Sequence, residues 1–295
     1  MPIRPRRSAL FMPASNARAL EKARTLDCDV VILDLEDAVA PEQKVAARQS
    51  VVDAVQRGGW GPREVVVRVN SIGSPWHHDD LAVVAAVDLD AILLPKVETP
   101  FDLKGVGGAL AAAGAPERVR VWAMIETPRA VLNALAIAET AVRQPECRLG
   151  CLVIGTNDLA KETRAAQTAG REPMLFALSS TLYAARAHGL DVLDGVFNDF
   201  KDIEGCRREA EQGRALGMDG KTLIHPGQIA VANAAFSPSP AEVAAARDIV
   251  AAFERPEAIG LGVIALDGRM VERMHLAMAQ RTIAIAEAIA ARRPA

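Results

Sequence analysis

At 295 residues, the chain is long enough for one large domain or two modest ones with a substantial core. Half of it is apolar and the net charge is −3, so no global field recruits nucleic acid or a membrane surface. Aromatic residues make up only 4%, too few for a base-stacking platform, and alanine and valine fill the apolar positions instead.

The basic start, Met1 to Arg7, is followed by no apolar signal core, and no segment approaches the ~20 uninterrupted apolar residues of a membrane span. Cys28, Cys147, Cys151 and Cys206 neither require disulfides nor carry the paired spacing of a zinc site. A cytoplasmic protein is expected. From there short apolar runs recur, each ending on polar or turn-forming residues. They are Ser8–Met12, Val30–Leu35, Val65–Val69, Ala91–Leu94, Val119–Ile125, Cys151–Ile154, Val192–Val196 and Thr222–Ile224. Their spacing is that of βα units, and several are apolar throughout, as strands covered on both faces are. Helices are predicted between them, for example Glu42–Gln56 with Val45, Val52 and Val55 on one stripe, and Arg129–Thr140 after Thr127-Pro128.

Eight such units predict a closed (β/α)₈ barrel, class α/β, over residues 1–236. An open doubly wound sheet would need a glycine-rich nucleotide turn. Gly105-Val106-Gly107-Gly108 lacks that spacing and reads as a helix end or loop. Ser237-Pro238-Ser239-Pro240 reads as a linker. Beyond it, residues 237–295 form a C-terminal segment: a helix Ala241–Glu254, an extended piece Gly260–Asp267, and a helix near Leu276–Ala291. This segment is expected to act as a lid or as an arm on a neighbouring subunit.

The ends of parallel strands open onto one face, so acids there meet. Glu126 follows the fifth run and Asp158 the sixth, one unit apart, which makes a seat for a divalent cation. Two carboxylates completed by water and substrate oxygens suit Mg²⁺, with Mn²⁺ as a substitute. Gly155, Thr156 and Asn157 precede Asp158 and offer backbone N–H groups to a substrate carboxylate. Arg68 interrupts a valine run and must have an acid partner. It is either an ion-pair brace or the fork that grips a substrate carboxylate. Asp34 and Glu36 lie two apart and face one way while Asp37 turns to the other. These three acids either brace the rim against Arg68 or Lys96, or hold waters around the metal. His225 reads as a rim-packing residue, His77 and His78 as a solvated loop, and Asp267 taken alone as a turn residue.

These segments resemble the citrate lyase β-subunit-like (CitE-like) proteins of the HpcH/HpaI aldolase/citrate lyase superfamily. The likeness rests on Arg7 to Ala14, Val31 to Val39 with its Asp-Leu-Glu-Asp-Ala-Val, Val67 to Asn70 and Leu94-Pro95-Lys96. It continues through Ile125 to Pro128, His225-Pro226 and Ala265 to Val271. The resemblance implies a (β/α)₈ barrel that binds Mg²⁺, acts on acyl-CoA thioesters of hydroxy-acids, and assembles as a homotrimer or hexamer. It implies that Glu126 and Asp158 are metal ligands, that Arg68 clamps the substrate carboxylate, and that Asp267 is the catalytic acid/base. It also suggests Lys22 and Lys44 as CoA-phosphate contacts. Many members of that superfamily carry Gly-x-Glu-Asp where this chain has Gly155-Thr156-Asn157-Asp158, a departure that bears on the acyl group accepted.

The expected activity is a Mg²⁺-dependent carbon–carbon lyase that cleaves malyl-CoA or citramalyl-CoA to acetyl-CoA and a 2-oxo acid. The alternatives are malyl-CoA-type thioester hydrolysis or malate synthase-like chemistry, a CoA-independent class II aldolase, and a carrier-dependent citrate lyase β subunit.

Overall fold

A computed structural model of the chain describes residues 3–292. Two compact units emerge, one spanning Arg6–Ala235 and the other the chain from Phe236 onward with the residues before Arg6. In the first, eight parallel strands close in sequence order: β1 Ser8–Pro13, β2 Val30–Asp34, β3 Glu64–Arg68, β4 Ala91–Leu94, β5 Arg120–Ile125, β6 Leu149–Ile154, β7 Asp191–Asp194 and β8 Gly220–Leu223. β8 pairs back onto β1, from Ser8–Lys221 to Leu10–Leu223, and helices follow the strands, so the protein is a (β/α)₈ barrel.

Alternation within each strand divides the barrel interior from the helical layer. Ala9, Val30, Ile32, Val66, Ala91, Leu93, Trp122, Met124, Cys151, Val153 and Leu193 form one buried cluster. Extending the same two-residue period toward the carboxyl ends brings Asp34, Arg68 and Glu126 to the mouth. Toward the amino ends it brings Glu64 and Asp191, which close the floor around Arg6. Arg6 Nη2 lies 2.7 Å from Glu64 and Nη1 2.7 Å from Asp191, and the guanidinium sits 4.7 Å over the Trp122 ring. The interior is thus packed, and the paired side chains of Arg6, Glu64 and Asp191 close its floor. Among the described residues no helix is long and apolar enough to cross a membrane.

Several local expectations are corrected. Gly105 to Gly108 lie inside the helix Pro100–Ala112, where a Cβ on Gly107 would overlap the backbone of Glu146 in the adjacent turn. The helix after Pro128 is two, Pro128–Leu132 and Ala134–Arg143, separated at Asn133. The Asn133 side chain donates to Glu98 O at 2.9 Å. In the helix Lys44–Arg57 the buried face carries Ala47, Val51, Ala54 and Val55, whereas Val45 is exposed. His77 is buried rather than solvated, with Nδ1 2.8 Å from Asn70 O.

The second unit holds the helices Pro240–Glu254 and Arg273–Ala291, which pack against each other. Ser239 and Glu242 cap the first reciprocally, so the Pro/Ser stretch expected to be a plain linker is partly a helix start. The piece expected to be merely extended is one arm of an antiparallel hairpin, β9 Val263–Leu266 with β10 Arg269–Glu272. Asp267 and Gly268 form its two-residue turn with φ of 48° and 74°. Both values are left-handed, as a type I′ turn demands, and Asp-Gly suits them. Asp267 is therefore an exposed carboxylate at a hairpin tip.

Candidate functional site

On the barrel mouth, the register of β2 and β3 sets Asp34 directly beside Arg68. Arg68 Nε and Nη2 donate to the two Asp34 carboxylate oxygens, each at 2.7 Å, in a bidentate fork. Nη1 lies 3.0 Å from Glu36 Oε2 and 3.5 Å from Asp37 Oδ2, and the guanidinium stacks 4.7 Å above Phe11. All three acids therefore face Arg68, and Asp37 does not turn to the opposite side. The chain bends after β2 because the backbone N–H groups of Glu36 and Ala38 both donate to Asp34. Burial opposes the Arg68 charge, but the Asp34, Glu36 and Asp37 carboxylates outweigh it and raise its pKa. Glu36 Oε2, although in ion-pair range of Arg68, accepts no hydrogen bond of good geometry.

On the same mouth, Glu126 continues the inward line of Trp122 and Met124 and is almost fully buried. Its Oε1 accepts the backbone N–H of Lys96 at 2.8 Å. A Cβ on Gly155 would overlap the Glu126 carboxylate, so the end of β6 must be glycine for that carboxylate to lie there. Asp158 follows in the first turn of the helix Thr156–Thr163. Lys96 Nζ reaches Glu36 Oε1 at 3.2 Å and Asp158 Oδ2 at 3.7 Å. Glu36, Glu126 and Asp158, from three separate strand ends, thus converge on one lysine.

The acids outnumber the cations here, and this shows in their protonation. Burial, aided by the neighbouring Glu36 charge, pushes Glu126 up to about 8. Burial likewise raises Glu36. Burial disfavours the Lys96 charge, but Glu36, Glu126 and Asp158 overcome it and raise its pKa. The donor set is hard carboxylate oxygen with an excess of negative charge, which fits a hard divalent cation held by Glu126 and Asp158. Among the described residues no group of three or more His, Cys, Asp or Glu side chains makes a metal cage. Such a cation would draw most of its ligands from water and substrate, as Mg²⁺ does.

The other residues singled out from sequence lie around this centre or away from it. Thr156 is buried at the helix start. The Asn157 amide exchanges hydrogen bonds with Asn198, at 3.0 and 2.7 Å, and accepts one from Gln167. Lys44 is turned inward, its ammonium donating to Leu35 O and Glu36 O at 2.8 and 2.6 Å over the Trp76 ring. It braces the Glu36 turn. Lys22 is exposed in the last turn of the helix Ala17–Ala23. His225 caps the turn Pro226–Gln228 at the end of β8 and stacks 5.0 Å from Phe200. Sequence reasoning missed the centrality of Lys96. Its place one residue after Pro95 at a strand end was the available signal.

The HpcH/HpaI aldolase/citrate lyase profile matches residues 7–226. Over 287 residues the chain is 48% identical to a (3S)-malyl-CoA thioesterase of Cereibacter sphaeroides, covering 97% of this chain and 96% of that one. It is 35% identical over 309 positions to an L-malyl-CoA/beta-methylmalyl-CoA lyase of the same species, covering 98% and 97%. It also matches the crystal structure of CitE from Mycobacterium tuberculosis in complex with magnesium, acetoacetate and coenzyme A. That match has a TM-score of 0.76 and 32% identity, covering 96% of this chain and 98% of the other. A barrel whose acids gather at the strand ends, matched along nearly its whole length by these proteins, is an enzyme superfamily member: the chain belongs to the HpcH/HpaI aldolase/citrate lyase family, in its CitE-like branch.

Proposed function

We propose that the chain acts with Mg²⁺ on a short hydroxyacyl-CoA that carries a free carboxylate, malyl-CoA being the type, and hydrolyses its thioester. The observation that carries the site is the convergence of Glu126 and Asp158 on Lys96, which Glu36 links to Arg68. The 48% identity to a malyl-CoA thioesterase favours hydrolysis as the outcome.

Bound by Glu126 and Asp158, Mg²⁺ would supply a Lewis acid that draws charge from carboxylate and hydroxyl oxygens of the substrate. Arg68 orients the substrate carboxylate through Nη1, which exchanges its contacts with Glu36 and Asp37 for the substrate while Nε and Nη2 keep their grip on Asp34. The N–H groups of Thr156 and Asn157, behind Gly155, hold the same end of the substrate. Asp34, Glu36 and Asp37 keep Arg68 and nearby waters in place. Asp267 is the acid/base, and its exposure at a hairpin tip supports its service to a neighbouring copy of the chain. It takes a proton from water as the water oxygen bonds to the thioester carbon. The carbonyl opens to an oxyanion; as it re-forms, the C–S bond breaks and Asp267 passes its proton to the departing thiolate.

Carbon–carbon cleavage is the second reading, favoured by the 35% relative. There the substrate hydroxyl gives its proton to solvent and its oxygen becomes the carbonyl of the 2-oxo acid as the bond to the thioester α-carbon breaks, and Asp267, starting protonated, passes its proton to the acetyl-CoA enolate carbon. Malyl-CoA, with the products read by mass spectrometry, separates the two. Malate with free CoA supports hydrolysis, and acetyl-CoA with glyoxylate supports cleavage. Inertness toward CoA esters, with turnover of free oxo-acids, would replace both with a class II aldolase.

Lys22 is retained in this proposal as an exposed contact for a CoA phosphate, and Lys44 in its inward pose serves the Glu36 turn. A cytoplasmic homotrimer or hexamer completes it. Exposed Ile259, Met270, Met274 and Met278 in the C-terminal unit support self-association, which light scattering would measure.

A further inference from the structure

Lys96 engages three acids by two different parts of itself. Its backbone N–H donates to Glu126 Oε1 at 2.8 Å, and its ammonium lies 3.2 Å from Glu36 and 3.7 Å from Asp158. To do so it takes a left-handed backbone, φ 52°, which a side chain with a Cβ disfavours. Glycine would meet that backbone requirement without penalty. The lysine side chain therefore contributes something the backbone alone does not.

A divalent cation gripped by Glu126 and Asp158 would lie beside that ammonium, because the ammonium is already in contact range of Asp158. Like charges at such range repel even under strong screening. The backbone hydrogen bond to Glu126, by contrast, survives any substitution except proline. Repulsion and orientation are thus separable within one residue.

We propose that Lys96 is a positioning residue whose backbone N–H orients Glu126 and whose ammonium holds down the affinity of the site for its divalent cation. This rests on the metal-site reading above. The consequence is a site that binds the cation loosely by itself and completes its grip only with an anionic substrate present.

The test is a Mn²⁺ titration without substrate, following loss of the free-ion signal by electron paramagnetic resonance. It compares the full-length wild type with K96M, K96G, K96R and E126Q. K96M and K96G should each bind Mn²⁺ about tenfold more tightly than wild type, while K96R keeps wild-type affinity. K96G also relieves the left-handed backbone, so it should fold at least as well as wild type and guards against failure of K96M. Unchanged or weaker binding by K96G, or K96R binding as tightly as K96M, overturns the role assigned to the ammonium. Failure of the metal reading looks different: wild type takes up no Mn²⁺, or E126Q takes it up equally well. In that event the inference about Lys96 falls with it.

Discussion

The Glu126 carboxylate rests directly against Gly155, so that the last residue of one strand's turn decides where the acid of the neighbouring strand can lie. A methyl group at position 155 would occupy the carboxylate's place. Gly155→Ala should cut divalent-cation affinity and turnover by about a hundredfold and destabilise the fold by about 1–3 kcal/mol through overpacking. Calorimetric Mg²⁺ titration beside a thermal melt separates the two effects. Wild-type affinity in the variant would show that the carboxylate can function elsewhere.

The burial that raises Glu126 from 4.5 to about 8 makes the folded protein hold that proton more tightly than the unfolded chain. The associated stability is fully present below the unfolded value and is lost as pH rises through about 8. A cation held by Glu126 would bind the ionised form and offset that loss. Saturating Mg²⁺ should therefore raise the melting temperature by several degrees near pH ~8.5 and by much less near pH ~6.5. Equal shifts at both values would detach Glu126 from cation binding.

Arg68 and Asp34 are a buried, doubly hydrogen-bonded pair. Arg68→Met strands the Asp34 charge and should cost about 3–5 kcal/mol of stability. Arg68→Lys keeps a charge but loses the fork. We expect it to fold and to lose about a hundredfold in kcat/KM, mainly through KM. Denaturant melts and steady-state kinetics read these out, and an Arg68→Lys enzyme with unaltered KM would argue for a purely bracing arginine.

Asp267 occupies a left-handed turn position that asparagine tolerates equally well. Asp267→Asn should leave the melting temperature and Mg²⁺ affinity unchanged while turnover falls by about 10²–10⁴. Full turnover in the variant would remove Asp267 from the chemistry.

Much of this molecule is legible in its sequence. All eight strands were visible because buried parallel strands need uninterrupted apolar runs, and those runs are local in sequence. The places of Glu126 and Asp158 at neighbouring strand ends followed from the same periodicity. Illegible were features set by the path of a loop. Asp37 joins Arg68 because Asp34 bends the chain behind it, and Lys44 turns inward because two carbonyls await it. Gly107 is glycine inside a helix because a turn some forty residues away packs against it.

By itself, the order of residues determined the barrel, its strand ends and the type of chemistry its acids invite, since hydrophobic period and chain direction act over a few residues at a time. Only the tertiary structure decided which charge meets which. Glu36, Glu126 and Asp158 share Lys96 across three staves, and Coulomb energy depends on distance through space rather than along the chain.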